Sequence, residues 1–226
     1  RQNFGPPSRR RDSSRGIAAW LSVRSTVVAK LVVGSSSRNA KRSFFRVRKL
    51  SSPQVLLMPL MSYQGIHPSV HPTAFVASNA VLVGKVTVGA QSSLWFGSIL
   101  RGDEHSISIG ARTNIQDGTV IHVTEAGHGT VIGDDVTIGH RALLHDCRIE
   151  SGAFIGMGAC VMDGVVVETG AMVAAGALVT PGKRVPRGEL WVGSPARCMR
   201  SLTPEEMRFF QVSADHYVQL ASQYKR

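Results

Sequence analysis

Aromatic residues make up only 6% of this chain, and its three cysteines include no CxxC pair. An odd, unpatterned set of this kind excludes a disulfide framework and fits a reducing interior compartment. Cys147, Cys160 and Cys198 read as small core or surface residues. Long apolar runs are missing as well. The most apolar part of the N-terminal segment, "IAAWLSVRSTVVAKLVV", is interrupted by Arg24 and Lys30. A membrane span needs about 20 mostly apolar residues, so no transmembrane span is expected.

Acidic side chains are almost absent from the first fifty residues, where 13 Lys and Arg face a single acid, Asp12. The formal charge of +11 is therefore local, because the remaining 176 residues hold 13 basic and 14 acidic side chains. The charge footprint of a nucleic-acid protein is missing from that part, and nucleic acid is not an expected partner. Residues 1–52, rich in Arg and Ser, have the composition of an organelle transit peptide and are expected to be disordered. An organelle location is expected, mitochondrion or plastid.

What is present is a repeat. Aliphatic residues recur every six positions at Val70, Val76, Leu82, Val88, Leu94 and Leu100. After a three-residue slip the register resumes at Ile109, Ile115 and Ile121, and after a five-residue insertion at Ile132, Ile138 and Leu144. One residue is then dropped, and the pattern continues through Ile149, Ile155, Val161, Val167, Val173, Val179, Val185 and Trp191. A period of six matches neither an amphipathic helix nor an alternating strand. It matches an all-β fold, the left-handed parallel β-helix, in which each hexapeptide is one flat side and three sides make a coil. The β-helix is expected over 53–200, with the Gly after many aliphatic positions easing the corners. A C-terminal α-helix is expected over 201–226, packing along the coil. Thr203 is its N-cap, followed by Pro204, Glu205 and Glu206. Met207, Phe210, Val218 and Leu220 are candidates for its apolar face.

The repeat places the histidines. From Ile121 to Leu144 is 23 residues, which is one coil of 18 plus the five-residue insertion. His122 and His145 thus occupy the same position on successive coils, stacked roughly 4.8 Å apart. Two imidazoles at that spacing can share one metal ion, since each metal–nitrogen bond is about 2.0–2.1 Å. His140 follows Ile138 by two, on the preceding side of the triangle, and faces elsewhere. As a ligand it would have to come from another copy of the chain, which points to packing around a threefold axis. His128 lies in the inserted loop as a candidate mobile group near the site. His67, His71, His105 and His216 have no such relation.

The motifs "RGDE" (101–104), "NIQD" (114–117), "IH" (121–122) and "IGHRALLH" (138–145) resemble those of γ-class carbonic anhydrases. "FIGMGACVMDGVVVETGAMVAAGALV" and "GELWVGSPAR" resemble the mitochondrial, complex I-associated branch and its bacterial relatives. The resemblance implies His122 and His145 as metal ligands from one subunit and His140 as the third, donated across an interface. It implies Gln116 and Asn114 near the reacting water and CO2, and Glu104 as a carboxylate near them. Glu125 matches in spacing a loop carboxylate that acts as a proton shuttle, although the loop "VTEAGHGT" is shorter than that of the archaeal prototype. Arg101 and Asp117 match a charge pair at the trimer interface, with Asp103 nearby, and Tyr217 loosely matches an aromatic on the C-terminal helix.

Three neutral imidazoles leave the full charge on Zn²⁺, or on Fe²⁺ or Co²⁺, with an open position where bound water ionises near pH 7. The activity implied is reversible hydration of CO2 to bicarbonate by a homotrimer, or by a heterotrimer with paralogues. Two alternatives stand beside it. One is a structural or assembly subunit of respiratory complex I with little catalysis. The other is an acyltransferase on the same solenoid using one histidine as base.

Overall fold

The computed structural model describes residues 60–225, so the transit-like segment 1–52 lies outside the described residues. The rest is a left-handed parallel β-helix of about seven coils followed by one α-helix, Pro204–Tyr224. All twenty aliphatic positions of the six-residue repeat fall into three stacked columns. Face one is Leu82, Leu100, Ile121, Leu144, Val161 and Val179. Face two is Val70, Val88, Ile109, Ile132, Ile149, Val167 and Val185. Face three is Val76, Leu94, Ile115, Ile138, Ile155, Val173 and Trp191. Most are fully shielded from solvent, and each such side chain contributes about 1.5–3 kcal/mol of burial free energy.

The three breaks in the repeat share one place. Leu100 to Ile109, Ile121 to Ile132 and Leu144 to Ile149 are all passages from face one to face two. The other six steps between columns on these coils all keep a length of six residues, so the irregularity is a local feature of one edge on three successive coils. It surrounds the paired histidines.

The glycines play two roles, and the structure corrects the reading of the one that follows the aliphatic residue. Gly156 is not in the left-handed region; a Cβ there would lie 2.3 Å from the backbone nitrogen of Ala175 on the next coil. Close approach of backbones is what demands glycine. Outside the irregular edge, the left-handed corner comes three residues after most of the aliphatics, as at Gly170, where φ is +65° and a Cβ would meet nothing within 4 Å.

An antiparallel hairpin, Glu189–Gly193 with Ala196–Ser201, ends the solenoid. Thr203 then caps the helix: its hydroxyl accepts from Glu206 N at 3.2 Å while Glu206 accepts from Thr203 N at 2.8 Å, a reciprocal capping box. The helix runs back along face three. Phe210 stacks on Phe154 at 5.1 Å, Ser213 bonds Thr137 at 3.0 Å, and Tyr224 packs on Phe75 and Trp95. Arg112 bridges Asp135 on the coil and Asp215 on the helix. The buried face is Phe210, Ala214 and Ala221, with Tyr217 between them. Met207, expected on it, is 42% exposed: it lies in line with Ala214 and Ala221 by helical spacing but stands in the first turn of the helix, one turn before the first buried residue, Phe210.

Candidate metal centre

His122 ends the strand Val120–His122 and His145 ends Leu143–His145; the two are direct partners in the parallel ladder. Their rings tilt toward each other with centroids 5.2 Å apart, and His122 Nδ1 lies 3.2 Å from His145 Nε2. Two bonds of about 2.0–2.1 Å to one tetrahedral ion would hold their nitrogens roughly 3.3 Å apart. The donor pair therefore fits a divalent metal.

The outward nitrogens are engaged as well. His122 Nε2 lies 3.2 Å from Asp103 Oδ1, and His145 Nδ1 lies 2.5 Å from Asp163 Oδ1. His140 Nδ1 lies 2.9 Å from Asp117 Oδ2. Each of the three histidines thus has one nitrogen on a carboxylate, the pattern that fixes the tautomer and orientation of metal-ligating imidazoles, while the other nitrogens of His122 and His145 face each other. Asp163 was not among the expected site residues. Among the described residues, no three His, Cys, Asp or Glu side chains of one chain are placed to hold a metal ion together. His140 sits on the corner between faces three and one, apart from the other two, as its spacing required.

Gln116 and Asn114 are buried and locked in a chain of hydrogen bonds. Gln116 Oε1 accepts from His140 N at 3.1 Å, and Gln116 Nε2 donates to Asn114 Oδ1 at 3.1 Å. Asn114 Nδ2 donates to Thr137 Oγ1 at 3.0 Å, and Thr137 meets Ser213 of the helix. The chain connects the helix to the backbone of His140. Arg101 pairs with Asp103 at 2.5 Å within the chain, and Asp117 takes His140 as its partner. Arg101 and Asp117 do not meet within one chain. For Asp103, burial pushes the carboxyl up, but hydrogen bonds from Arg101, the backbone and His122 together hold it below the usual carboxylate range, so it is an anion beside His122.

Glu104 and Glu125 are exposed. Glu125 rides on the turn from Thr124 to Gly127, closed by a 3.0 Å backbone bond. Tyr217 packs edge-to-face on Trp95 at 5.5 Å, and burial, followed by the charge of Asp117, raises its phenol above the ordinary value. His128 is exposed on the inserted loop.

A family model described as the hexapeptide repeat of succinyl-transferase matches residues 147–181. The chain is 57% identical over 159 residues to "Gamma carbonic anhydrase 3, mitochondrial" of Arabidopsis thaliana, covering 68% of this chain and 62% of that protein. It is 52% identical over 146 residues to a "Probable carbonic anhydrase" of Methanocaldococcus jannaschii, covering 65% of this chain and 91% of that one. The chain spans about 60% of the length of the Arabidopsis relatives it matches. Among solved structures it is similar to a hexapeptide transferase family protein from Anaplasma phagocytophilum, with 48% identity and a TM-score of 0.72, covering 74% of this chain and 98% of that one.

Proposed function

Because this chain belongs to the γ-class carbonic anhydrase family, we propose that it is a metal-dependent carbonic anhydrase, built as a trimer and working in mitochondria. The observation that carries the reading is the His122 and His145 nitrogens facing each other at 3.2 Å while Asp103 and Asp163 hold the opposite ring nitrogens. His140, tied to Asp117, supplies the third nitrogen from a neighbouring copy. When bound, a Zn²⁺, Fe²⁺ or Co²⁺ ion supplies Lewis acidity and a nucleophile available at neutral pH.

The chain's own residues do the rest. Asp103, Asp117 and Asp163 orient the imidazoles. Gln116, fixed between Asn114 and the backbone of His140, presents its amide to CO2 in one orientation. Glu125 and Glu104, exposed near the histidines in sequence and fold, carry the released proton to buffer. Asp117 holds His140 through one carboxylate oxygen, which leaves its other oxygen to pair with Arg101 across the interface.

A trimer is supported by the outward side of face one. Val81, Ile99, Val120, Leu143, Cys160 and Leu178 stack there as an apolar column, with Ile99 and Leu143 39% and 40% exposed. A sheet face of this kind at the foot of the histidine pair suits burial against a second copy. The mitochondrial part of the reading rests on the Arg- and Ser-rich N-terminal segment and on the relatives' names. Among the described residues no helix is long and apolar enough to cross a membrane.

The test is CO2 hydration by stopped flow on the full chain, with zinc or iron restored anaerobically. Metal-dependent activity lost in His145→Ala supports the reading; a metal-replete trimer as inactive as that variant refutes it. Acyl transfer is the second reading, favoured by the likeness to the hexapeptide transferase family protein of Anaplasma phagocytophilum. Thermal stabilisation by acetyl-CoA but not by divalent metal would move the assignment there.

A further inference from the structure

We propose that Asp146 is the positioning residue for the proton-transfer half of this reaction, through its grip on the loop that carries Glu125; the proposal rests on the carbonic anhydrase reading. The loop leaves the solenoid directly after His122 and returns at the strand Thr130–Ile132. Its tip has little packing to hold it. Glu125, Ala126 and His128 are exposed, and a cavity of about 260 Å³ opens beside it, lined by His128, Gly129, Val131, Asp146, Cys147 and Val165 among others.

A buried carboxylate grips the loop just before it rejoins the solenoid. Asp146, only 5% exposed, accepts from His128 N at 3.0 Å and from Gly129 N at 2.8 Å. Its own N–H donates to His122 O at 3.2 Å. One residue thus binds the loop's return and the backbone of one ligand histidine, while following the other, His145, in sequence. Gly127 completes the fit, since a Cβ there would fall 2.2 Å from the Asp146 carboxylate.

The backbone argues that the side chain matters. Asp146 stands at φ +43°, left-handed backbone that glycine enters without strain and most residues avoid. It occupies the corner where the repeat drops one residue. Glycine would relieve the backbone but leave the His128 and Gly129 amides without their acceptor. A clamp on those amides sets where the Thr124–Gly127 turn stands relative to the histidine pair, and with it the path a proton takes from the site to Glu125 and on to buffer.

Asp146→Gly separates the two roles. In the zinc-loaded full chain, hydrogen exchange of the His128 and Gly129 amides is expected to speed up about tenfold or more, charge-assisted bonds being the stronger kind. Exchange at Val131 and Ile132 stays unchanged. The kcat for CO2 hydration falls roughly tenfold while kcat/KM stays within about twofold, and high concentrations of imidazole buffer restore it. Asp146→Asn, which keeps an acceptor oxygen, is expected to retain both loop protection and kcat. An active wild type whose Asp146→Gly variant keeps its kcat or its loop protection overturns the proposal alone. An inactive metal-replete wild type overturns it together with the reading it rests on, and the exchange data then report the clamp separately.

Discussion

Three aspartates set the imidazoles of the candidate centre, and their contributions can be separated. Asp163→Asn leaves His145 with an acceptor but removes the charge at its Nδ1, 2.5 Å away. The expected outcome is zinc affinity lowered about 10- to 100-fold with the melting temperature nearly unchanged, read by competition with a chromophoric chelator. The histidine pair was legible from sequence because 23 residues make one coil plus the insertion. The same interval separates Asp117 from His140, so their pairing carried the same signal. Asp163 did not, because the dropped residue between Leu144 and Ile149 shifts it one place from the position stacked on His145. Far from the site, Arg200 and the Thr203 backbone N–H hold Glu206 down to about 2. Its folded value lies below its unfolded one, so its contribution to stability is present above about pH 4.5 and is lost as pH falls toward 2. Carboxyl NMR should show the Glu206 midpoint moving up in Arg200→Met, and Glu206→Gln should remove that part of the acid dependence of the melt.

At the scale of the coil, glycine positions that look alike in sequence should respond differently. Gly170→Ala introduces a left-handed alanine into open space and is expected to destabilise by about 1–2 kcal/mol. Gly156→Ala has unstrained dihedrals but meets the Ala175 backbone, and should be the more damaging of the two in a denaturant melt. The six-residue spacing showed where glycine recurs, but not that the next coil's backbone is the reason. The helix divides in a similar way. Its start was readable from Thr203, Pro204 and Glu206, because capping is a local interaction. Its buried face was only partly so, since Ala214 and Ala221 make the close contact while the larger Met207 stays exposed. Phe210→Ala should therefore cost about 3–5 kcal/mol, and Met207→Ala little.

Face one carries an outward apolar column with the candidate His122–His145 pair at its edge. The solenoid was legible because twenty positions repeat one burial environment; the spacing likewise separated His140 from the His122–His145 pair, and the proposed trimer joins them through a second copy of the chain. Leu143→Lys, in the middle of the exposed column, is expected to yield monomers by sedimentation while the β-sheet circular dichroism is kept. Subunit mixing tests the shared centre most directly. His122→Ala and His140→Ala proteins, each alone, should show no metal-dependent CO2 hydration. Refolded together in equal amounts with zinc or iron, they should recover about a quarter of wild-type activity, since random threefold assembly pairs an intact His122–His145 edge with an intact His140 at that frequency. Activity in His140→Ala alone, or none in the mixture beside an active wild type refolded in the same way, would contradict a centre shared between subunits.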